Sequence, residues 1–207
     1  VNSTFYSSAG TLTFNMTGTP ATGFYASGST VLNTSASGNI VINGTGTNYF
    51  NVSAATTVTT GAGNLTINAP IALSTYTLNM TSGSGNVTLS NVISGTGSLT
   101  QNTTGTTTLL GANTYTGAIS ITSGTLVVGN GTTSGAMGVG NITVSNANLT
   151  FNYSSGTYTF GNATSTAYLS LNNANVSVLG GNVTLAAYTS LSGTSSSDMI
   201  AVNLSGT

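Results

Sequence analysis

The chain has 207 residues with no lysine, arginine or histidine, and Asp198 is its one acidic side chain. It therefore lacks the basic groups that bind nucleic-acid phosphates or anionic lipids. It also lacks the paired carboxylates of glycosidases, the general bases of nucleophilic enzymes and the clustered ligands of metal sites. We expect a protein that is not an enzyme, with no catalytic, cofactor or metal site, that neither binds nucleic acid nor inserts in a membrane.

So few charges need a physical explanation, because charge normally keeps a protein soluble. One explanation is an acidic habitat, where basic side chains would make a chain self-repelling while carboxylates would be neutral. The other is that glycans or assembly replace charge. There is no cysteine and no apolar run long enough to span a membrane. No signal peptide is visible at Val1, so a secreted protein would be in its mature form.

A short pattern recurs along the whole chain: glycine, a small polar residue, an apolar residue, Thr or Val, and an apolar residue. It begins at Gly10, Gly38, Gly63, Gly85, Gly124, Gly140, Gly156 and Gly181. Several spacings are about 16 to 28 residues, the length of one solenoid coil. Alternation places Leu65 and Ile67 on one side of a strand and Asn64 and Thr66 on the other. The pattern predicts a single β-solenoid domain over residues 1–207.

In chain order, the first strand should turn Leu12, Phe14 and Met16 inward. The segment 24–58 is the least regular, with a bulge or loop expected near 48–51. Residues 149–160 indicate either a hairpin or a pair of strands in neighbouring coils. A loop containing Asp198 should precede a last short strand beginning at Met199.

The clearest repeat lies at 93–129, where Leu99, Leu109, Ile119, Ile121, Leu126 and Val128 alternate with small polar residues. Its Gly95-x-Gly97-x-Leu99 opening, its centre and its Gly124-x-Leu126 close resemble the autotransporter-associated β-strand repeat of bacterial passenger proteins. The centre of the repeat consists of Leu109 or Leu110, Gly111, Asn113, Thr114, Tyr115 and Gly117. The resemblance implies a right-handed parallel β-helix. It implies little about function, because such passengers include adhesins, proteases and plain stalks.

The most abundant motif is Asn-x-Ser/Thr, the acceptor for N-glycosylation, at about twice the frequency expected by chance. At Asn64, Asn86 and Asn182 the competing role is a hydrogen-bonded ladder along the stack. Turn positions, for which we take Asn43, Asn102 and Asn130, should accept glycans best. The candidates are Asn2, Asn15, Asn33, Asn43, Asn51, Asn64, Asn79, Asn86, Asn102, Asn130, Asn141, Asn148, Asn152, Asn162, Asn175, Asn182 and Asn203.

Four aromatic residues, Tyr76, Tyr115, Tyr158 and Phe160, are expected to pack in the core or as a ladder rather than form an exposed sugar-binding strip. Neither end of the sequence has an amphipathic helix or a charged strand to cover it, so we expect the ends to pair with other copies. These features favour a structural subunit of an extracellular, N-glycosylated filament, pilus or sheath whose partners are copies of itself. The alternative function is an adhesin passenger domain of autotransporter type that binds host or surface glycans. The alternative fold is a pilin-like β-sandwich completed by a donated N-terminal strand.

Overall fold

The computed structural model describes residues 3–17, 23–26, 30–34, 37–81, 83–132, 135–160, 168–185 and 190–203. This part of the chain is all β, without a helix that could cross a membrane. Its strands are β1 (Ser3–Tyr6), β2 (Thr11–Met16), β3 (Phe24–Ala26), β4 (Thr30–Thr34), β5 (Asn39–Gly44), β6 (Phe50–Val52), β7 (Thr56–Thr60), β8 (Leu65–Ile67), β9 (Ile71–Ala72), β10 (Leu78–Thr81), β11 (Val87–Leu89), β12 (Ile93–Ser94), β13 (Leu99–Leu109), β14 (Ile119–Val128), β15 (Ile142–Ser145), β16 (Asn148–Asn152), β17 (Thr157–Phe160), β18 (Tyr168–Asn172), β19 (Asn175–Leu179), β20 (Asn182–Leu185), β21 (Ser190–Gly193) and β22 (Met199–Asn203).

The strands stack on three faces of a coil. The first face contains β1, β4, β7, β10, the first half of β13 and of β14, β15, β18 and β21. The second face contains β2, β5, β8, β11, the second halves of β13 and β14, β16, β19 and β22. The third face contains β3, β6, β9 and β12, and, further along the chain, β17 and β20. The fold is a right-handed parallel β-helix, as predicted. Every pairing between these strands is parallel, which rules out the antiparallel β-sandwich alternative.

One apolar core runs along the inside of the stack because inward positions recur with period two. On the second face, Ile40 lies beside Leu65 and Leu65 beside Val87, and each is fully buried. The six apolar residues predicted from the 93–129 repeat are all buried as well. Strand β2, which contains Leu12, Phe14 and Met16, alternates as expected, although these inward side chains are only partly buried. Sequence periodicity therefore identified the inward face correctly.

Two columns of glycine explain the glycine that opens the repeated pattern. At the edge of the second face, a Cβ on Gly63 would lie 1.9 Å from the carbonyl oxygen of Gly38, and one on Gly85 would lie 1.8 Å from that of Gly63. At the edge of the first face, a Cβ on Gly117 would lie 2.1 Å from the oxygen of Gly97. The coils approach so closely at these corners that no side chain fits between them.

Local predictions have mixed outcomes. In the segment 24–58 a loop at 45–49 separates β5 from β6, next to the position where a bulge or loop was expected near 48–51, while strands β4, β5, β6 and β7 alternate perfectly. A register shift lies further along, between β13 and β14. The patterns at Gly124, Gly140 and Gly156 do not mark successive coils, since they precede strands on the second, first and third faces respectively. Within a coil the chain visits the first, second and third faces in turn, so each 16-residue spacing passes over one face and covers two of the three steps of a coil. Strands β16 and β17 pair with other coils rather than with each other, so the hairpin alternative is excluded.

A small polar cluster interrupts the core. The side chain of Gln101 is fully buried, and its Nε2 donates to Oγ1 of Thr103 at 2.9 Å. The hydroxyl of Thr107 donates to Gln101 Oε1 and contacts the sulfur of Met80. These bonds satisfy polar groups that would otherwise be costly to bury.

Candidate functional site

The predicted glycan acceptors differ widely in accessibility. Those with exposed side chains are Asn15, Asn64, Asn86, Asn102, Asn130, Asn148 and Asn182, and those half-buried are Asn33, Asn43, Asn51, Asn79, Asn141, Asn152 and Asn175. Asn203 ends strand β22, while Asn2 and Asn162 lie outside the described residues. The side chain of Asn33 is half-buried, and its Oδ1 is buried and makes no hydrogen bond to the described part of the chain.

Of the three acceptors predicted to lie in turns, only one lies outside the strands. Asn130 lies between strands, where its Oδ1 accepts from the backbone N–H of Thr132 at 3.0 Å. Asn43 lies within β5 and Asn102 within β13, so both assignments to turns are wrong. The local sequence Asn-Gly-Thr at 43–45 is typical of a turn, but strand β5 continues through Gly44, which pairs with Met16 of β2.

A ladder of asparagines runs along one edge of the second face. Oδ1 of Asn39 accepts the backbone N–H of Asn64 at 2.8 Å, and Oδ1 of Asn64 accepts that of Asn86 at 2.8 Å. Oδ1 of Asn86 in turn accepts the N–H of Thr106 at 3.0 Å. The predicted ladder is thus confirmed for Asn64 and Asn86. It does not include Asn182, which aligns with Thr157 on the third face.

A second ladder links side-chain amides on the far edge of the same face. Nδ2 of Asn43 donates to Oδ1 of Asn15, and Nδ2 of Asn68 donates to Oδ1 of Asn43, both at 2.8 Å. On the opposite edge, which carries Asn39, Asn64 and Asn86, Nδ2 of Asn175 donates to Oδ1 of Asn148 at 3.1 Å further along the stack. Such ladders tie neighbouring coils together and fix the orientation of the outward amides.

The centre of the 93–129 repeat has a structural role in this chain. Asn113 is nearly buried, its Oδ1 accepts from the N–H of Ile93 at 2.8 Å, and its Nδ2 donates to the carbonyl of Ala136 at 2.6 Å. One side chain therefore bridges the coil before it and the coil after it. A Cβ on Gly111 would lie 2.2 Å from the carbonyl oxygen of Asn91, so this glycine is also required by close approach.

The acidic side chain closes a turn. Oδ2 of Asp198 accepts from the N–H groups of Ser195 at 2.8 Å and Thr194 at 2.9 Å, and Oδ1 accepts from Ala174 at 3.0 Å. Desolvation acts to raise the pKa of Asp198, but these N–H groups outweigh it and hold the pKa below its ordinary value. Asp198 is thus a turn residue, as predicted. In the described part of the chain no group of His, Cys, Asp or Glu is arranged to hold a metal ion.

Three tyrosines cluster at the core near residues 115–158. Tyr115 is fully buried, Tyr153 is 4% exposed and the ring of Tyr158 stacks on Phe151. Burial raises the pKa of each hydroxyl far above its ordinary value. Packing is therefore confirmed for Tyr115 and Tyr158, whereas Tyr76 is 43% exposed and the side chain of Phe160 lies outside the described residues.

Tyr153 and Tyr158 also line a pocket of about 340 Å³, together with Gly135, Ala136, Ser155, Gly156 and Thr157. The hydroxyl of Tyr158 is satisfied by the carbonyl of Met137 at 3.0 Å. The hydroxyl of Tyr153 is buried and has no hydrogen-bond partner among the described residues.

Comparison with family models, with curated proteins and with solved structures finds no match to this chain. The resemblance to the autotransporter-associated repeat stays a prediction. Function must therefore be argued from the geometry of the outward columns and of the first and last described coils.

Proposed function

We propose that the chain is a non-enzymatic structural subunit of an extracellular, N-glycosylated surface filament, pilus or sheath. Copies associate head to tail, each adding its first coil to the last coil of the next through parallel β-strand pairing. The observation that carries this proposal is the last described coil. Ile200 continues the inward column of Leu149 and Val176, yet it is 45% exposed.

The first described coil offers a complementary apolar surface. Phe5, Phe14 and Phe24 contact one another edge to face, with ring centroids 5.1–5.4 Å apart, and all three are only partly buried. Within the described residues β2 pairs only with β5, and β22 pairs only with β19. Among the described residues, each of these strands thus has one edge of backbone N–H and C=O groups that no other strand pairs with, and in the proposed assembly another copy would pair with it.

Strand pairing between copies would preserve the faces of the stack. β1 begins the first face and β21 ends it among the described strands, while β2 and β22 do the same for the second face. A second copy can therefore continue both faces as parallel strands. Because the contact joins two different surfaces, repeating it gives an open filament rather than a closed dimer.

The test is electron microscopy of the purified native protein at high concentration, where fibres are expected. Ile200→Glu places a charge in the apolar contact and should abolish fibres while far-UV circular dichroism stays unchanged. Thr159→Glu, at an exposed position on the third face, is the charge-matched control and should leave fibres intact. A monodisperse monomer at high concentration would refute the assembly. Intact mass before and after removal of N-glycans tests the glycoprotein part separately.

Exposed tyrosines in the first coils support the second candidate, an adhesin passenger domain of autotransporter type. Tyr6, Tyr25 and Tyr76 are 55%, 64% and 43% exposed. Exposed aromatic rings bind the apolar faces of sugars. Binding to a glycan array that is lost in Tyr25→Ala, with no fibres in the wild type, would favour this function over the filament.

A further inference from the structure

The middle of the second face presents two regular outward columns. The threonine column consists of Thr13, Val41, Thr66, Thr88, Thr108, Val127, Thr150 and Ser177, and it ends among the described strands at Ala201. The asparagine column, two residues earlier on each strand, consists of Thr11, Asn39, Asn64, Asn86, Thr106, Thr125, Asn148 and Asn175, and it ends at Met199. Neither column contains an aromatic or charged residue.

The spacing of this array resembles that of crystalline water. Neighbouring coils are about 4.8 Å apart, and residues two apart on one strand are about 6.7 Å apart. In ice, tetrahedral hydrogen bonds of about 2.8 Å place equivalent oxygens about 4.5 Å apart along one axis and about 7.4 Å apart along another. The mismatch along a column is about 0.3 Å per coil, so three or four adjacent coils stay in step within about 1 Å.

The outward groups are also held in place. Threonine is restricted at χ1 by its branched Cβ, so each side chain presents a methyl and a hydroxyl in a fixed arrangement. The Oδ1 atoms of Asn39, Asn64 and Asn86 are fixed by backbone N–H groups of the next coil. Side-chain ladders are among the features that keep a stacked sheet flat. A flat, rigid surface adds little entropy cost when a rigid lattice binds to it.

From this array we propose that the second face binds ice. Hydroxyl and amide groups would hydrogen-bond to lattice water, and threonine and valine methyls would occupy the spaces between. A neutral face suits a neutral crystal, since an ionic side chain holds a hydration shell that does not fit the lattice. A crystalline polysaccharide is a poorer fit, because binding to its sugar faces depends on aromatic rings and both columns lack them.

The proposal is independent of filament assembly and restricts glycosylation. Asn64, Asn86, Asn148 and Asn175 are glycan acceptors by sequence, and a glycan on any of them would cover the ice-binding face. Their amides participate in the ladders between coils. We expect these four sites to be unmodified in the native protein, even where other acceptors carry glycans.

The first experiment uses the wild-type chain made without glycans. It should partition into a slowly growing ice hemisphere and give measurable thermal hysteresis with faceted ice crystals. Exclusion from the ice together with the absence of hysteresis would overturn the proposal without any variant. Binding to cellulose or chitin particles without ice partitioning would overturn it in favour of a polysaccharide ligand.

The second experiment locates the surface. Thr88→Tyr places a bulky ring in the threonine column and should reduce hysteresis at equal concentration by about tenfold, as for a central position of an interface. Thr100→Tyr is the matched control, because Thr100 is outward and half-buried on the first face between Asn79 and Ser120. It should retain full activity. Equal loss in both variants, with unchanged melting temperatures, would contradict the assignment to the second face.

Discussion

Gly85→Ala tests the close approach of coils at the edge of the second face. The added Cβ would lie 1.8 Å from the carbonyl oxygen of Gly63 and 2.8 Å from its carbonyl carbon. An ordinary contact needs more than about 3 Å, so the two coils must separate locally by more than 1 Å, and neither partner is a flexible side chain. Three hydrogen bonds lie at this corner. Leu65 N–H donates to Asn86 O at 2.9 Å, Gly85 N–H to Gly61 O at 2.7 Å, and Asn86 N–H to Asn64 Oδ1 at 2.8 Å.

Weakening those bonds costs about 0.5–1.5 kcal/mol each, and overpacking adds about 1–3 kcal/mol. We therefore expect the free energy of unfolding to fall by roughly 2.5–7.5 kcal/mol. For a chain of this size that lowers the melting temperature by roughly 5–30 °C, which thermal unfolding followed by far-UV circular dichroism measures easily.

Gly46→Ala is the control for conformational strain alone. Gly46 has a φ of +63°, and a Cβ there would meet nothing within 4 Å. A left-handed conformation costs a non-glycine residue about 1–2 kcal/mol. If Gly85→Ala destabilises the protein no more than Gly46→Ala, the close-packed corner does not explain the glycine columns.

Three further predictions concern charge and buried polar groups. Stability should be constant from about pH 4 to about pH 10. Because the pKa of Asp198 is lowered in the folded protein, its contribution to the free energy of unfolding is lost only as the pH falls below the ordinary value for aspartate. Because the pKa of Tyr115 is raised, its contribution is lost only as the pH rises above the ordinary value for tyrosine. Urea unfolding at each pH tests this, and a steady slope between pH 5 and pH 9 would contradict it. Gln101→Met should lower the free energy of unfolding by about 1–3 kcal/mol because buried threonine hydroxyls lose their partner, whereas Ile121→Met, next in the same inward column, should cost less than about 1.5 kcal/mol. Asn113→Ala should cost roughly 2–4 kcal/mol because it leaves Ile93 N–H and Ala136 O unpaired, and an effect below 1 kcal/mol in the same assay would exclude a bridge between coils.

The sequence was enough to predict the fold because the period-two pattern is unambiguous here. A strand such as 65–67 has one apolar face, and the repeated glycine marks where one coil meets the next. The pattern does not indicate the face of the coil on which each repeat of the motif lies. The motifs that begin at Gly124 and Gly140 are alike in sequence, yet the first precedes residues on the second face and the other precedes a strand on the first face. Only the register between coils distinguishes them.

The same limit applies to the candidate sites. Asn43 and Asn102 have turn-like neighbours, but tertiary pairing extends their strands through them. The bridging role of Asn113 could not be predicted from its motif, because its partners are one coil away in each direction. The alignment of Asn39, Asn64 and Asn86 in one column likewise depends on coil lengths that vary along the chain.

The outward columns of the second face concern both the solubility and the function of the protein. A strand face turned to solvent usually carries Lys and Glu, whereas the columns on the second face carry Asn and Thr. Where glycans attach, they can replace charge as the solubilising group. Where the ladders fix the amides, they tie neighbouring coils together and also keep the uncharged surface regular, as a ligand with a matching repeat requires. Mapping occupied and unoccupied acceptors along the columns therefore separates the two roles. Glycans on Asn130 with none on Asn64 or Asn86 would fit an ice-binding second face, and glycans on all three would leave solubility as the reason for the whole outward pattern.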